Sequence, residues 1–145
     1  MSISRFGPVF LVVFLGGCTV FAPRYDAVLD EKSTAAYQSI AGIAASIELG
    51  EFVAAESYAD AAPRYRDAIS GLSVASLRAE ILPVREGTPA ERARRLLSEM
   101  VTECDQAVKR TAETHRQRGI PANAGAGQSL LLVCDPAYRA VQAMR

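Results

Sequence analysis

The chain has 145 residues, of which 50% are apolar, and its 16 basic and 16 acidic residues cancel to a formal net charge of zero. That length suits one domain with a single core. The balanced charge argues against a nucleic-acid-binding protein, which usually carries a basic excess, and the apolar fraction is too high for intrinsic disorder. One histidine and three cysteines leave little material for a metal site or a redox cofactor, and we expect neither.

The first residues of the chain have the pattern of an export signal. Arg5 precedes an unbroken apolar run from Val9 to Leu15. This run is too short to cross a bilayer as a helix, which takes about 20 residues, but it has the length of a signal-peptide hydrophobic region. The sequence therefore predicts export from the cytoplasm.

The apolar run ends in Leu15-Gly16-Gly17-Cys18, which resembles the signal of bacterial lipoproteins, where two small residues precede an invariant cysteine. The resemblance implies cleavage after residue 17 and a lipid on the thiol of Cys18. Two or three acyl chains together hold a protein stably at a membrane. The alternatives are an ordinary cleaved signal with an incidental cysteine and a short buried helix. Thr19 follows the cysteine, and in enteric-type sorting a residue other than Asp there favours the periplasmic face of the outer membrane.

Three cysteines leave one disulfide to predict. If a lipid occupies Cys18, only Cys104 and Cys134 remain, and the compartment beyond the inner membrane is oxidising. Gly119 lies 15 residues from each of the two and is typical of a helix end followed by a turn. A chain reversal there would bring both cysteines to a similar height on neighbouring segments. We predict a Cys104–Cys134 disulfide, with two separately buried thiols as the alternative.

We predict a domain at residues 24–145, preceded by a signal peptide at 1–17 and by a lipidated cysteine with a short tether at 18–23. Its apolar and small residues recur every three or four positions, which is the period of one helix face. In the first segment, Arg24 to Leu49, this face comprises Leu29, Ser33, Ala36, Ile40, Ile43 and Ile47. In the second segment it comprises Tyr58, Ala62, Tyr65, Ile69, Leu72, Ser76 and Ala79. Pro63 interrupts the second segment, so we expect a kink or a helix start there.

The third segment has the clearest start in the chain. Thr88 can cap a helix, Pro89 suits the first helical position, and Glu91 completes a capping box. The helix is expected to end before Gly119. Its apolar face comprises Ala93, Leu97, Met100, Cys104, Ala107 and Thr111.

A fourth segment starts at Ser129, after Gly125-Ala126-Gly127, which we interpret as a flexible loop. Pro136 could kink or split this segment. Its apolar face comprises Leu131, Cys134, Tyr138 and Val141. Four amphipathic helices with short connections predict an all-α fold, an up-down bundle of about four antiparallel helices.

Charge is unevenly distributed along these helices. Residues 24–60 hold two basic and seven acidic groups, whereas residues 61–145 hold thirteen and nine. We expect the acidic first helix to pack beside the basic third. The alternative is a third helix that contacts anionic lipid or lipopolysaccharide.

Candidate catalytic residues are few. His115 is the only histidine, and a cation near the end of the third helix is favourable, so we interpret it as structural. Di-iron bundles need Glu-x-x-His on two helices, and the sequence contains no such motif. We expect no enzymatic activity. Four tyrosines on or near the apolar faces are interpreted as core residues rather than a ligand cage, namely Tyr37, Tyr58, Tyr65 and Tyr138.

Short segments of the helices add to the resemblance carried by Cys18. Tyr25-Asp26, Tyr58 with Tyr65-Arg66-Asp67, and Leu77-Arg78-Ala79-Glu80 make the chain similar to a group of small uncharacterised bacterial lipoproteins. The resemblance implies a helical bundle behind a lipid anchor and brings no activity. We expect a non-catalytic accessory protein that docks an envelope partner, in architecture comparable to secretion pilotins. The alternative is binding of a small apolar ligand or lipid in a cavity lined by Ile40, Tyr65, Ile69 and Leu97.

Overall fold

The computed structural model describes residues 23–122 and 125–145. The predicted signal residues Leu15, Gly16, Gly17 and Cys18 lie outside this range, as does Thr19. The described residues form four helices and no strand: α1 (Ala27–Glu48), α2 (Tyr58–Glu80), α3 (Pro89–Arg118) and α4 (Ala126–Gln142). One turn of 3₁₀-helix, Ala55–Ser57, precedes α2. The predicted all-α bundle of four helices is confirmed.

The helices are arranged around the core in chain order. α1 packs against α2 and α4, and α3 packs against the same two, so α1 and α3 lie diagonally opposite. Neighbours run antiparallel: Asp26 before α1 pairs with Arg78 near the end of α2, and Arg64 near the start of α2 donates to Ser46 near the end of α1. The expectation that acidic α1 packs beside basic α3 is wrong, because an up-down bundle places its first and third helices on a diagonal.

Side-chain caps define where two of the helices begin. The carboxylate of Asp26 accepts a hydrogen bond from the backbone N–H of Leu29 at 2.7 Å, which caps α1. The predicted cap of α3 is confirmed, because Thr88 Oγ1 accepts from the N–H of Glu91 at 3.2 Å. The Glu91 carboxylate accepts in return from the N–H of Gly87 rather than from that of Thr88.

Neither internal proline starts or splits a helix. α2 begins five residues before Pro63 and continues through it, and α4 continues through Pro136 to Gln142. Both proline rings are exposed, so each helix loses one backbone hydrogen bond on a side that faces solvent. The interpretation of Gly125-Ala126-Gly127 as a flexible loop is wrong, because α4 starts at Ala126.

The core contains one apolar face from each helix. All six residues of the predicted α1 face are buried. The buried faces of α2 and α3 are rotated by about one residue from the predicted ones, and their additional core residues are Ala61, Ala68, Ala75, Val101, Val108 and Ala112. Alanine occurs on several faces of α2, so the spacing of apolar residues alone does not select which face is buried.

Two close contacts hold α4 in place. Cys104 of α3 and Cys134 of α4 form a disulfide in the structure, with their Cα atoms 4.7 Å apart. Two turns earlier, in the first turn of α4, a Cβ atom at Gly127 would lie only 2.5 Å from the carbonyl oxygen of Ala44. The backbones of α4 and α1 therefore touch at a point where only glycine fits. None of the helices in the described residues is both long enough and apolar enough to cross a bilayer.

Candidate functional site

The bundle has two different ends, which we name by their distance from Pro23, the first residue that the structure describes. At the near end, α1 and α3 begin and α2 and α4 finish. Pro23, which is buried, precedes α1 by four residues. At the far end, α1 and α3 finish and α2 and α4 begin. With 22 residues, α1 separates the two ends by about 33 Å.

An apolar groove of about 310 Å³ lies between α3 and α4 at the far end, and we call it the α3–α4 groove. Its apolar lining consists of Ile47, Ala107, Ile120, Ala126, Leu130 and Val133. Its polar lining consists of Arg110, Thr111, Thr114 and Ser129. A volume near 300 Å³ is the lower limit of small-molecule pockets and suits a few apolar side chains of a peptide.

The connection after α3 places Ile120 in this groove. Gly119 ends the helix with a φ of 71°, a conformation that favours glycine. A Cβ atom there would also overlap the carbonyl group of Val53. The next N–H, that of Ile120, donates to the carbonyl oxygen of Phe52 at 2.6 Å. The loop between α1 and α2 thus fixes one wall of the groove.

The polar lining of the groove favours a ligand that carries an anionic group next to an apolar one. The hydroxyls of Thr111 and Thr114 donate back to carbonyl oxygens one turn earlier in α3, at 2.8 and 2.9 Å. Arg110 is exposed at the rim, and none of the ion pairs formed among the described residues includes it. Its guanidinium is therefore available to a carboxylate that enters with an apolar side chain.

A buried cluster of aromatic rings lies at the same end and includes His115. The imidazole stacks on Phe52, with ring centroids 4.3 Å apart, and the edges of Tyr58 and Tyr65 approach it. Burial lowers the pKa of His115 below its ordinary value, and burial raises the pKa of Tyr65. The interpretation of His115 as a cation at a helix end is wrong, because this side chain is fully buried.

The hydrogen bonds of His115 identify its tautomer. Ser57 Oγ donates to the carbonyl oxygen of Ala54 at 2.7 Å and lies 2.9 Å from His115 Nε2. Because the hydroxyl proton is used on Ala54, Nε2 is the donor in the second bond. Nδ1 then accepts from the hydroxyl of Tyr65, at 3.4 Å. The serine is not activated as a nucleophile in this arrangement, and the contacts stabilise the packing of α3 on α2.

The near end carries a second polar cluster, around Asp30. Its buried carboxylate accepts hydrogen bonds from Tyr25, Gln142 and Arg145 at 2.9 to 3.0 Å. Burial raises the pKa of Asp30, but hydrogen bonds from Arg145, Tyr25 and Gln142 outweigh burial and lower it below its usual range. These contacts tie the end of the chain to the first turn of α1.

The interior void that borders Ile40 is too small for a ligand. It measures about 10 Å³ and lies beside the disulfide and the stacked rings of Tyr37 and Tyr138, whose centroids are 4.3 Å apart. A space of this size holds at most one water molecule. Of the four residues expected to line a ligand cavity, only Ile40 borders this void.

Two buried residues at the far end were not predicted from the sequence, and both lie in connections between helices. Phe52 is buried in the loop after α1, and Ile120 is buried after Gly119. Each follows a glycine with positive φ within two residues, Gly50 before Phe52 and Gly119 before Ile120, and this position was the available signal. In the part of the chain that the structure describes, no group of three or more His, Cys, Asp or Glu side chains could hold a metal ion.

Comparison with protein-family models, with curated proteins and with solved structures finds no match to this chain.

Proposed function

We propose that this chain is a bacterial lipoprotein, acylated at Cys18, whose non-catalytic bundle docks an envelope protein in the α3–α4 groove. The pattern Leu15-Gly16-Gly17-Cys18 and the similarity to small lipoproteins support the anchor. Thr19 supports a location at the periplasmic face of the outer membrane.

The observation that carries docking is the position of the groove. The tether enters the bundle at Pro23, at the near end, whereas the α3–α4 groove lies at the far end. The length of α1 places about 33 Å between the two ends. A membrane that holds the near end therefore leaves the groove open to proteins of the envelope.

The chemistry of the groove defines the segment it would take. Apolar residues form most of the lining, and Arg110 supplies one cation at the rim. We expect the partner to insert a large apolar side chain that has an Asp or Glu beside it. A buried apolar anchor with a charged neighbour is a common way for a small groove to gain both affinity and specificity.

Metabolic labelling with palmitate tests the anchor. We expect label on the wild type and none on Cys18→Ala, because the thiol of Cys18 is the proposed site of acylation. Equal labelling of both proteins would contradict the anchor.

Photo-crosslinking in living cells tests docking. A benzophenone amino acid is placed at position 133 in the test variant, because Val133 lines the groove. In the control variant it replaces Leu132, which is 74% exposed and does not line the groove. We expect one prominent adduct from position 133 and none from position 132. Ser129→Leu fills the groove and should remove the adduct, whereas Gln128→Leu, on a nearby exposed residue outside the groove, should retain it.

The crosslinked peptide then tests the predicted chemistry. Its attachment site should be an apolar residue next to an acidic one. Equal adducts from positions 132 and 133, or an adduct that survives Ser129→Leu, would contradict docking in the groove.

A further inference from the structure

The proposed anchor brings the near end close to a membrane. From Cys18 to Pro23 the chain has five peptide links, which span at most about 18 Å even when fully extended. Pro23 is buried at the near end. Acylation of Cys18, on which this inference rests, therefore holds the near end of the bundle within that distance of the bilayer surface.

Three exposed apolar side chains occur at this end. Val28 is 40% exposed, Leu77 is 62% exposed and Ile81 is 67% exposed. Side chains of this kind are usually buried when a partner or a membrane is available to cover them.

The three residues belong to one surface, which we call the near-end patch. Lys32 and Val74 line a common groove between α1 and α2. Val28 precedes Lys32 by one turn, and Leu77 and Ile81 follow Val74 by one and two turns, so all three continue that groove toward the near end. The ion pair between Arg78 and Asp26 holds the two helix termini together at this point.

We infer that the near-end patch lies in the headgroup layer of the membrane that holds the acyl chains. The short tether keeps the near end close to a bilayer surface at all times, so the membrane is always available to cover the patch. Tyr25 adds a half-exposed ring at the same end, with its hydroxyl bonded to Asp30. Tyrosine is enriched at membrane interfaces, where its ring is apolar and its hydroxyl finds a polar partner.

Charged side chains of both signs are exposed at this end. The exposed cations include Arg24, Arg85, Arg92 and Arg95, and the exposed anions include Glu31, Glu80 and Glu86. The three residues of the near-end patch are themselves uncharged, so we expect contact through the patch to depend on apolar burial and to occur on neutral lipid as well as on anionic lipid.

The far end also exposes apolar side chains, since Leu49 is 76% and Val53 is 52% exposed there. They lie close in sequence to the exposed carboxylates of Glu48 and Glu51, and the length of α1 places them about 33 Å from the near end. The α3–α4 groove also faces away from the near-end patch, since α1 and α2 carry the patch. Membrane contact at the patch thus leaves the groove accessible.

Fluorescence quenching by lipid tests this inference directly. The chain has no tryptophan, so Leu77→Trp or Ile81→Trp introduces a single tryptophan at an exposed position. Leu49→Trp is the matched control at the far end. Each acylated full-length variant is reconstituted into phosphatidylcholine vesicles, with or without bromine on the acyl chains near the headgroups. We expect brominated lipid to reduce the emission of the Leu77 and Ile81 variants and to leave that of Leu49→Trp unchanged.

Vesicle flotation separates this inference from the anchor itself. One outcome is that all three variants float while lipid quenches Leu77→Trp and Ile81→Trp no more than Leu49→Trp. That result would overturn contact of the patch with the membrane and would leave the anchor standing. Quenching that appears only with anionic lipid would overturn apolar contact. Cys18→Ala should fail to float with vesicles, because it cannot be acylated. If protein without this substitution, purified from palmitate-fed cells, also failed to float, the proposed anchor and this inference would both be overturned.

Discussion

His115 Nε2 lies 2.9 Å from the hydroxyl oxygen of Ser57, and this hydrogen bond joins the last turn of α3 to the turn before α2. The ring is fully buried between Phe52 and the tyrosines of α2. A neutral imidazole satisfies both of its nitrogens here, one as donor and one as acceptor. The packing at the far end of the bundle therefore favours the neutral form of this histidine.

The folded protein should lose stability when His115 is forced to take a proton. Burial lowers the pKa of this imidazole in the folded state below its ordinary value of 6.5. The free energy of unfolding should therefore be at its full value above pH 6.5 and should fall as the pH drops below 6.5 through the folded pKa. Urea unfolding at a series of pH values between 7.5 and 5, a range of about two and a half units around the histidine pKa, measures this change.

His115→Phe is the control for this measurement, because His115 is the only histidine in the chain. The variant keeps a ring that can stack on Phe52 and removes the titrating group. Its stability should be lower overall and should vary less with pH in this range. An unchanged pH profile in the variant would show that another group is responsible.

A methyl group at Gly127 should force α4 away from α1. The new Cβ would meet the carbonyl oxygen of Ala44 at 2.5 Å, and backbone at this position has little freedom to move. We expect Gly127→Ala to destabilise the fold by about 1–3 kcal/mol, the usual cost of overpacking. Thermal unfolding measures the difference.

The substitution Gly42→Ala in α1 should have the opposite effect on stability. A Cβ there meets no atom within 4 Å, so alanine should fit and should stabilise the helix by about 0.5–1 kcal/mol. A Gly127→Ala variant as stable as Gly42→Ala would contradict the close approach of α1 and α4.

The disulfide should contribute strongly to stability. Cys104 and Cys134 are separated by 30 residues, and closing such a loop stabilises the folded state by about 3–4 kcal/mol in the chain-entropy model. Thiol titration in denaturant should find neither cysteine reactive until a reductant is added. Two reactive thiols in protein purified from an oxidising compartment would contradict the pairing.

Asp30 should make the bundle sensitive to strong acid. Hydrogen bonds from Arg145, Tyr25 and Gln142 outweigh burial and lower its folded pKa, so the stability they provide is present above the ordinary value of 3.8 and is lost as the pH falls through the folded pKa. Asp30→Asn should be less stable at neutral pH and should lose less on acidification. Glu31→Gln, at the exposed neighbour, should change stability by less than about 0.5 kcal/mol. Equal profiles for the two variants would contradict a special role for Asp30.

The sequence predicted helix faces and helix starts correctly where the residues concerned have a single structural role. The six-residue face of α1 is buried as expected because it contains four of the five large aliphatic residues of this helix, the fifth being Val28. Thr88 and Pro89 mark the start of α3 because a side-chain cap and a fixed φ both suit a first turn. The α3–α4 groove was not predictable in this way, since four separate elements supply its lining.

The sequence by itself determined four amphipathic helices, their approximate limits and the cysteines that pair within them. Only the tertiary structure decided which alanine faces of α2 are buried, that α1 and α3 are diagonal, and that Gly127 belongs to a helix contact. It also decided the state of His115, whose charge depends on the rings of Phe52 and Tyr65 from distant parts of the chain. Helix periodicity is a property of neighbours in sequence, whereas burial, close approach and pKa depend on neighbours in space.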